Sequence, residues 1–227
     1  MVFLMALGAV LLALGAGAYW ALVLSEGVYL GPRVVRLLYD RAAPRYDRIK
    51  NADPEDDVRY LARPLLTALD AAPAPLVLDV ATGTARLPLS LMAEPIPGLR
   101  VVGIDCSPGM LGRAQRKLEP YPHVQALALA DAGHLPFADD AFTAVTCLEA
   151  IEFTPRPRAT LRELVRVLQP GGVLLISNRV GVDCLWFPDQ RCGRGRVEAW
   201  LRELGLVDIE REAWQVYYDL VWAKKAA

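Results

Sequence analysis

With 227 residues the chain has room for one catalytic-sized domain with its own core and a short appendage. Its 25 Lys and Arg against 26 Asp and Glu leave a formal net charge of −1, which excludes the overall positive field of a nucleic-acid-binding protein. Apolar residues make up 54%, high for a water-soluble chain, and the excess lies at the start.

From Val2 to Ser25 no residue is charged, and Glu26 is the first that is. A helix of that length extends roughly 35 Å, enough for a hydrocarbon core of about 30 Å. Gly8, Gly15 and Gly17 weaken a soluble helix but are common in membrane helices, and Tyr19 and Trp20 suit the interface. A secretory signal peptide competes with this reading, with Ala16-Gly17-Ala18 as its cleavage site. Such a peptide has a basic start and a shorter apolar core, whereas here apolar residues follow Met1 directly and the run is long. Residues 1–26 are therefore expected to be a retained transmembrane anchor, ahead of a signal peptide and of an apolar helix buried in protein.

Residues 27–55 read as a basic connector. Between Arg33 and Lys50 six basic residues face Asp40 and Asp47, a surplus of four. The positive-inside rule then orients the remainder, residues 56–227, to the cytoplasm. The same residues can touch anionic headgroups or simply form a solvated helix face. A helix is expected over Val34–Arg48, broken near Pro44. Asp56–Asp70 has helical spacing, with Val58, Leu61, Leu65, Leu66 and Leu69 on one side and Pro64 as a kink or the start of a new turn.

Strands and helices then alternate. Strands are expected at Leu76–Val80, Arg100–Ile104, Val124–Leu129, Ala144–Leu148 and Val173–Ser177. Helices are expected at Ala85–Met92, with Pro88 inside it, and at Pro108–Leu118, capped by Ser107. A third at Arg158–Leu168 carries Leu161, Leu164, Val165 and Leu168 on one face and is stopped by Gln169-Pro170-Gly171-Gly172. A last helix at Gly195–Leu204 precedes two adjacent strands, Val207–Trp214 and Val216–Ala223. This pattern predicts an α/β, Rossmann-like seven-stranded sheet, mostly parallel with an antiparallel last strand, and helices on both faces.

Open α/β sheets bind ligands beyond the carboxyl ends of their strands. The first such loop, Leu78-Asp79-Val80-Ala81-Thr82-Gly83-Thr84-Ala85, has small residues that let a ligand approach the backbone, and Asp79 suits a cationic amine. Asp105, in Val102-Gly103-Ile104-Asp105-Cys106-Ser107, suits ribose hydroxyls and lies 26 residues after Asp79. In Ala130-Asp131-Ala132-Gly133, Asp131 suits an exocyclic amine and Ala132 offers a backbone N–H to a ring nitrogen. Each loop alone also reads as an ordinary solvated turn. Cys106, Cys147, Cys184 and Cys192 form no CxxC pair and only two histidines occur, so reduced structural thiols are expected and no metal site.

Taken together, "VLDVATGTA", "VVGIDCSPGML", "ADAGHLPFADDAFTAV" and "LRELVRVLQPGGVLLI" resemble the blocks of class I S-adenosylmethionine-dependent methyltransferases, in order and spacing, over residues ~40–225. The family usually has glycine where Ala81 and Ala85 stand. The resemblance implies S-adenosylmethionine as cofactor. Asp79, Ala81, Thr82 and Gly83 would line its amino-acid end, and Asp105 would bind the ribose. Cys106 and Met110 would flank the adenine, whose edge Asp131 and Ala132 would read. Leu148 and Glu149 would face the reacting centre. "YDRAAPRYDRI" resembles the segment that lids the cofactor in ubiquinone/menaquinone C-methyltransferases and their relatives, which makes Tyr46 the candidate lid residue, against plain packing of an amphipathic connector.

Methyl transfer displaces a neutral leaving group, so the protein chiefly aligns and dehydrates the reactants. A base is needed only if the acceptor must lose a proton; Glu149 and Glu152 are the candidates, and a catalytic residue as such is not identified. His123 and His134 read as structural. The aromatic loop Asp183–Gly195, with Trp186, Phe187 and Pro188, is expected either to border a lipophilic small-molecule acceptor near the membrane or to pack on the domain. The competing functions are a non-catalytic cofactor-binding membrane scaffold and a nicotinamide-dependent oxidoreductase, the latter disfavoured because GxGxxG is absent.

Overall fold

The computed structural model describes residues 2–121, 124–187 and 194–227. His123, Pro188 and Cys192 therefore lie outside the described residues. The chain starts with helix α1 (Val2–Tyr19), continued by a wider π turn over Trp20–Leu24. Phe3–Leu24 thus forms a 22-residue helix of mean hydropathy 2.0, with none of its apolar stretch buried against the domain. The length and composition suit a membrane span.

The connector is α2 (Pro32–Ala42), a 3-10 turn at Ala43–Arg45, and α3 (Tyr46–Lys50). The break falls where Pro44 lacks the N–H an α-helix needs. Next come α4 (Pro54–Asp57), a π turn at Val58–Ala62 and α5 (Arg63–Leu69). The Asp53 side chain caps α4 by accepting from Glu55 N–H at 2.9 Å. Pro64 stands in the first turn of α5, where the π turn gives way to α-helix, so it starts a new turn as expected and its missing N–H costs nothing. Leu61, Leu65, Leu66 and Leu69 are buried, as their spacing predicts.

The sheet and its helices follow as β1 (Leu76–Val80), α6 (Arg86–Ala93), β2 (Arg100–Asp105), α7 (Pro108–Leu118), β3 (Val124–Leu129), β4 (Phe142–Cys147), α8 (Pro157–Val167), β5 (Leu168–Arg179), α9 (Arg196–Glu203), β6 (Leu206–Gln215) and β7 (Tyr218–Lys225). Pro88 sits in the first turn of α6, where its missing N–H costs nothing. Gln169–Gly172 is not a stop before a short strand but part of β5 itself. A register shift between Phe142 and Ala144 takes up the extra residues, with Gly171 at φ 73°.

Strand order is β3-β2-β1-β4-β5-β7-β6. β1 to β5 are parallel, and β7 is antiparallel to both β5 and β6. The last strand therefore inserts between its two predecessors. Strand periodicity divides the core. Leu78 and Val80 of β1 join Leu161, Leu164 and Leu201 on one face, while Val77 joins Leu61, Leu65, Leu87 and Leu91 on the other. Asp79 shares the face of Val77, and its β4 neighbour Thr146 shares that of Ala144.

Candidate cofactor site

The carboxyl ends of β1, β2 and β3 open onto two adjoining cavities, of about 400 and 340 Å³. Both are lined by Tyr46, Ala81, Gly83, Leu148 and Glu149, which form the neck between them. The larger lobe is mostly apolar and receives Asp105, Cys106, Met110, Asp131 and Ala132. The smaller is charged, with Lys50, Asp57, Asp79, Arg86 and Lys117 on its walls. The residues singled out from sequence thus gather around one joined space, with Thr82 and Asp79 on the charged side.

The loop after β1 is tightly wound. Ala81, Gly83 and Ala85 have φ of 58°, 56° and 71°. A Cβ added at Gly83 would stand 3.9 Å from the Tyr46 ring, so the lid tyrosine lies directly over this loop. Burial pushes the Tyr46 phenol up to about 12. The Thr82 hydroxyl is buried on the charged lobe beside Asp79, whose pKa it helps to lower. With the bare Gly83 backbone next to it, the loop leaves room for a polar ligand to approach.

Asp79 is 3% exposed and accepts from the Thr146 hydroxyl at 2.7 Å. Burial raises its pKa to about 6, against the lowering effect of that bond. Asp105 already serves the fold: its carboxylate accepts from Gly83 N–H at 2.9 Å and Ser107 N–H at 2.8 Å. Burial raises its pKa and those N–H groups oppose the rise. The first bond joins the loops after β1 and β2, the second shapes the loop after β2, and each oxygen keeps a further lone pair for a ligand hydroxyl. Asp131 is exposed and accepts from Gly133 N–H at 2.8 Å, which shapes the third loop.

Glu149 has φ 51° and sits at the neck between two cations. Lys50 Nζ lies 2.6 Å and Arg86 Nη1 2.7 Å from its oxygens. Burial alone would raise its pKa, but the two cations hold it below the usual carboxylate range. It is a poor proton acceptor and a good electrostatic anchor. Glu152 lies elsewhere: it is 1% exposed and bonded to Tyr218 and Arg179, away from the cavities.

Sequence reasoning missed Lys50, Asp57 and Arg86. Arg86 Nε and Nη2 bind the two Asp57 oxygens at 2.7 and 2.6 Å, a bidentate pair. The one available signal was a lone cation directly after the glycine-bearing loop. Missed too were the ties that hold the lid. Asp40 accepts from the Ser107 hydroxyl at 2.5 Å and Gly109 N–H at 2.9 Å. Asp47 accepts from the Thr84 hydroxyl at 2.5 Å and pairs with Lys117 at 2.7 Å. The two Tyr-Asp pairs of the connector, Tyr39-Asp40 and Tyr46-Asp47, therefore place rings over the cavity and carboxylates on the loops beneath. Of the aromatic loop, Phe187 is buried and its ring meets Phe153, a residue of the larger lobe, at 5.5 Å.

The donor set fits S-adenosylmethionine. One lobe offers an apolar slot with two carboxylates for adenine and ribose; the other offers both signs of charge for a zwitterionic amino-acid end.

Residues 78–176 match the model of the methyltransferase domain family. The demethylmenaquinone methyltransferase of Thermus thermophilus is 40% identical over 140 residues, 61% of this chain and 63% of that protein. The chain thus spans about 60% of the length of such relatives. Among solved structures, the [4+2]-cyclase SpnF superposes with a TM-score of 0.68 at 19% identity, covering 85% of this chain and 95% of that one. A putative S-adenosyl-L-methionine-dependent methyltransferase from Methanococcus maripaludis superposes at 0.63 and 16% identity, covering 83% and 94%. Residues 78–176 are thus similar to the methyltransferase domain family, and the superpositions show that the fold is shared with these solved structures.

Proposed function

We propose that this chain transfers a methyl group from S-adenosylmethionine to a lipophilic, quinone-like acceptor at a membrane. The observation that carries the reading is the joined two-lobed cavity, with the carboxylates Asp105 and Asp131 on one lobe and charges of both signs around the other, as the two ends of that cofactor require. The acceptor class rests on relatives named demethylmenaquinone methyltransferase and on the apolar larger lobe, which is walled by Tyr39, Phe153 and Pro155 beyond the nucleoside residues. The location rests on the exposed Phe3–Leu24 helix, read as a single-pass anchor, with the arginines of α2 and α3 on the cytoplasmic side.

When bound, S-adenosylmethionine supplies a methyl group on a sulfonium. The protein's part is placement. Asp105 and Asp131 would hold the nucleoside, while Asp79 and Glu149 would face the ammonium and Lys50 and Arg86 the carboxylate. Tyr46 closes the neck and excludes water. Because Lys50 and Arg86 make Glu149 a weak base, an acceptor whose acidic hydroxyl has already lost its proton to solvent before closure suits that arrangement.

Full-length protein incubated with methyl-labelled cofactor and a membrane lipid extract is expected to place label in the organic phase. Label confined to water-soluble products would overturn the acceptor class, and absence of cofactor binding at millimolar concentration would overturn the reaction. The likeness to a protein titled a [4+2]-cyclase favours one second reading, a non-methylating activity on the same fold. That reading requires cofactor binding without label transfer.

A further inference from the structure

Several apolar side chains remain exposed on the domain far from one another in sequence, yet the structure gathers them. In the 3-10 helix Gly181–Trp186, Val182 is 72% and Leu185 70% exposed. Three residues apart in such a helix, they share one face. In the turn between β6 and β7, Val216 is 83% exposed and Tyr217 beside it is also exposed. These two pieces are adjacent, because Val180 N–H donates to the Tyr217 carbonyl at 2.8 Å. After the apolar helix, Tyr29 and Leu30 are exposed, with the Tyr29 ring stacked on Trp20 at 4.8 Å.

One buried side chain joins all three. Arg179, which ends β5 immediately before Val180, lies 3.8 Å from the Glu26 carboxylate at the exit of the apolar helix. It also donates to the Tyr218 hydroxyl at 2.9 Å and faces the Phe187 ring at 4.4 Å. Glu26 in turn accepts from the Tyr39 hydroxyl of α2 at 2.9 Å. The helix therefore meets the domain with no flexible spacer: Ser25 is fully buried and its hydroxyl bonds back to Trp20 and Ala21. Along the neighbouring α2, Arg33, Arg36, Leu37 and Arg41 are all exposed at helical spacing. That mixture of arginine and leucine on one face is the pattern of a helix lying at a lipid headgroup layer.

We propose that Tyr29, Leu30, Val182, Leu185, Val216 and Tyr217 form a second, interfacial membrane contact around the anchor's exit, with the arginine face of α2 against anionic headgroups. The proposal rests on the anchor reading above and adds a fixed orientation to it. Because Pro32, Arg33 and Arg36 of α2 also line the larger lobe, that lobe opens at the bilayer surface, and a lipophilic acceptor enters without crossing water.

The test uses the full chain reconstituted into phosphatidylcholine and phosphatidylglycerol vesicles, with and without bromine on the acyl chains. Val216→Trp and Leu185→Trp are compared with Val207→Trp, an exposed position at the opposite end of β6. After subtraction of the parent protein's fluorescence, bromine is expected to quench the first two by roughly twofold or more relative to the third. Flotation with the vesicles but equal quenching at all three positions would overturn the rim alone. Failure of the parent chain to float would overturn the anchor and the rim with it.

Discussion

Two alanines carry the strain of the cofactor loop. Ala81 and Ala85 hold left-handed backbone, which costs a residue with a Cβ roughly 1–2 kcal/mol. Glycine removes that cost but adds about 0.5–1 kcal/mol of backbone entropy. Ala81→Gly is therefore expected to stabilise the protein by about 0.5–1 kcal/mol in urea unfolding. Ala85 is fully buried beside Ala114 and Leu118. Losing its methyl costs about 0.8 kcal/mol, so Ala85→Gly is expected to be near neutral. Equal gains at both sites would show that strain, not burial, decides both. Sequence comparison with the family's usual glycines marked these positions, but their left-handed backbone and unequal burial needed coordinates.

Asp79 sets a pH dependence at the same scale. Its folded pKa, about 6, lies above the ordinary aspartate value of 3.8. An acid raised in this way binds its proton more tightly folded than unfolded. The stability contributed by its neutral form is present below about pH 4 and lost as pH rises through about 6. The loss amounts to about 3 kcal/mol, and Asp79→Asn is expected to flatten the stability profile across that window. Cofactor affinity should run the other way, since the ammonium needs the ionised carboxylate. Calorimetric titration in buffers of different ionisation heat is expected to show proton release on binding below about pH 6, absent in Asp79→Asn.

At the level of elements, the lid is the informative case. α2 buries little of itself, Val35 and the following Ala43, so its position depends on polar ties. A Cβ at Gly109 would come within 3.1 Å of the Asp40 backbone, which is how closely α2 rests on α7. Asp40→Ala removes two hydrogen bonds to a carboxylate, worth about 1.5–3 kcal/mol each at most. It is expected to lower the thermal midpoint by several degrees and also to weaken S-adenosylmethionine binding about tenfold or more. A fall in midpoint with unchanged affinity would mean that α2 only packs and does not cover the site. The helices α7 and α8 were legible almost to the residue, because a cap at Ser107 and a leucine face are local signals. The break between α2 and α3 was likewise legible at Pro44, whereas the run of β5 through two glycines depended on which neighbours the backbone could bond.

For the whole molecule, Arg179 joins the sheet, the aromatic loop and the exit of the apolar helix. It is 6% exposed and pairs with Glu152, which is 1% exposed. Arg179→Met leaves that carboxylate buried without its cation, and a loss of about 3–5 kcal/mol is expected in denaturant unfolding. A loss below about 1 kcal/mol would place the pair among surface-like bridges and would remove the argument for a rigid anchor exit. By itself the sequence determined the class of fold, the number of strands, the three ligand loops and the apolar N-terminal helix. Each is written in local terms: periods of 2.0 and 3.6, turn residues, and an uncharged run. Only the tertiary structure decided that β7 inserts between β5 and β6, that Lys50 meets Glu149 across 99 residues, and that Glu26 meets Arg179. Those contacts join residues with no shared periodicity, and nothing local in the chain encodes which buried charge will find which partner.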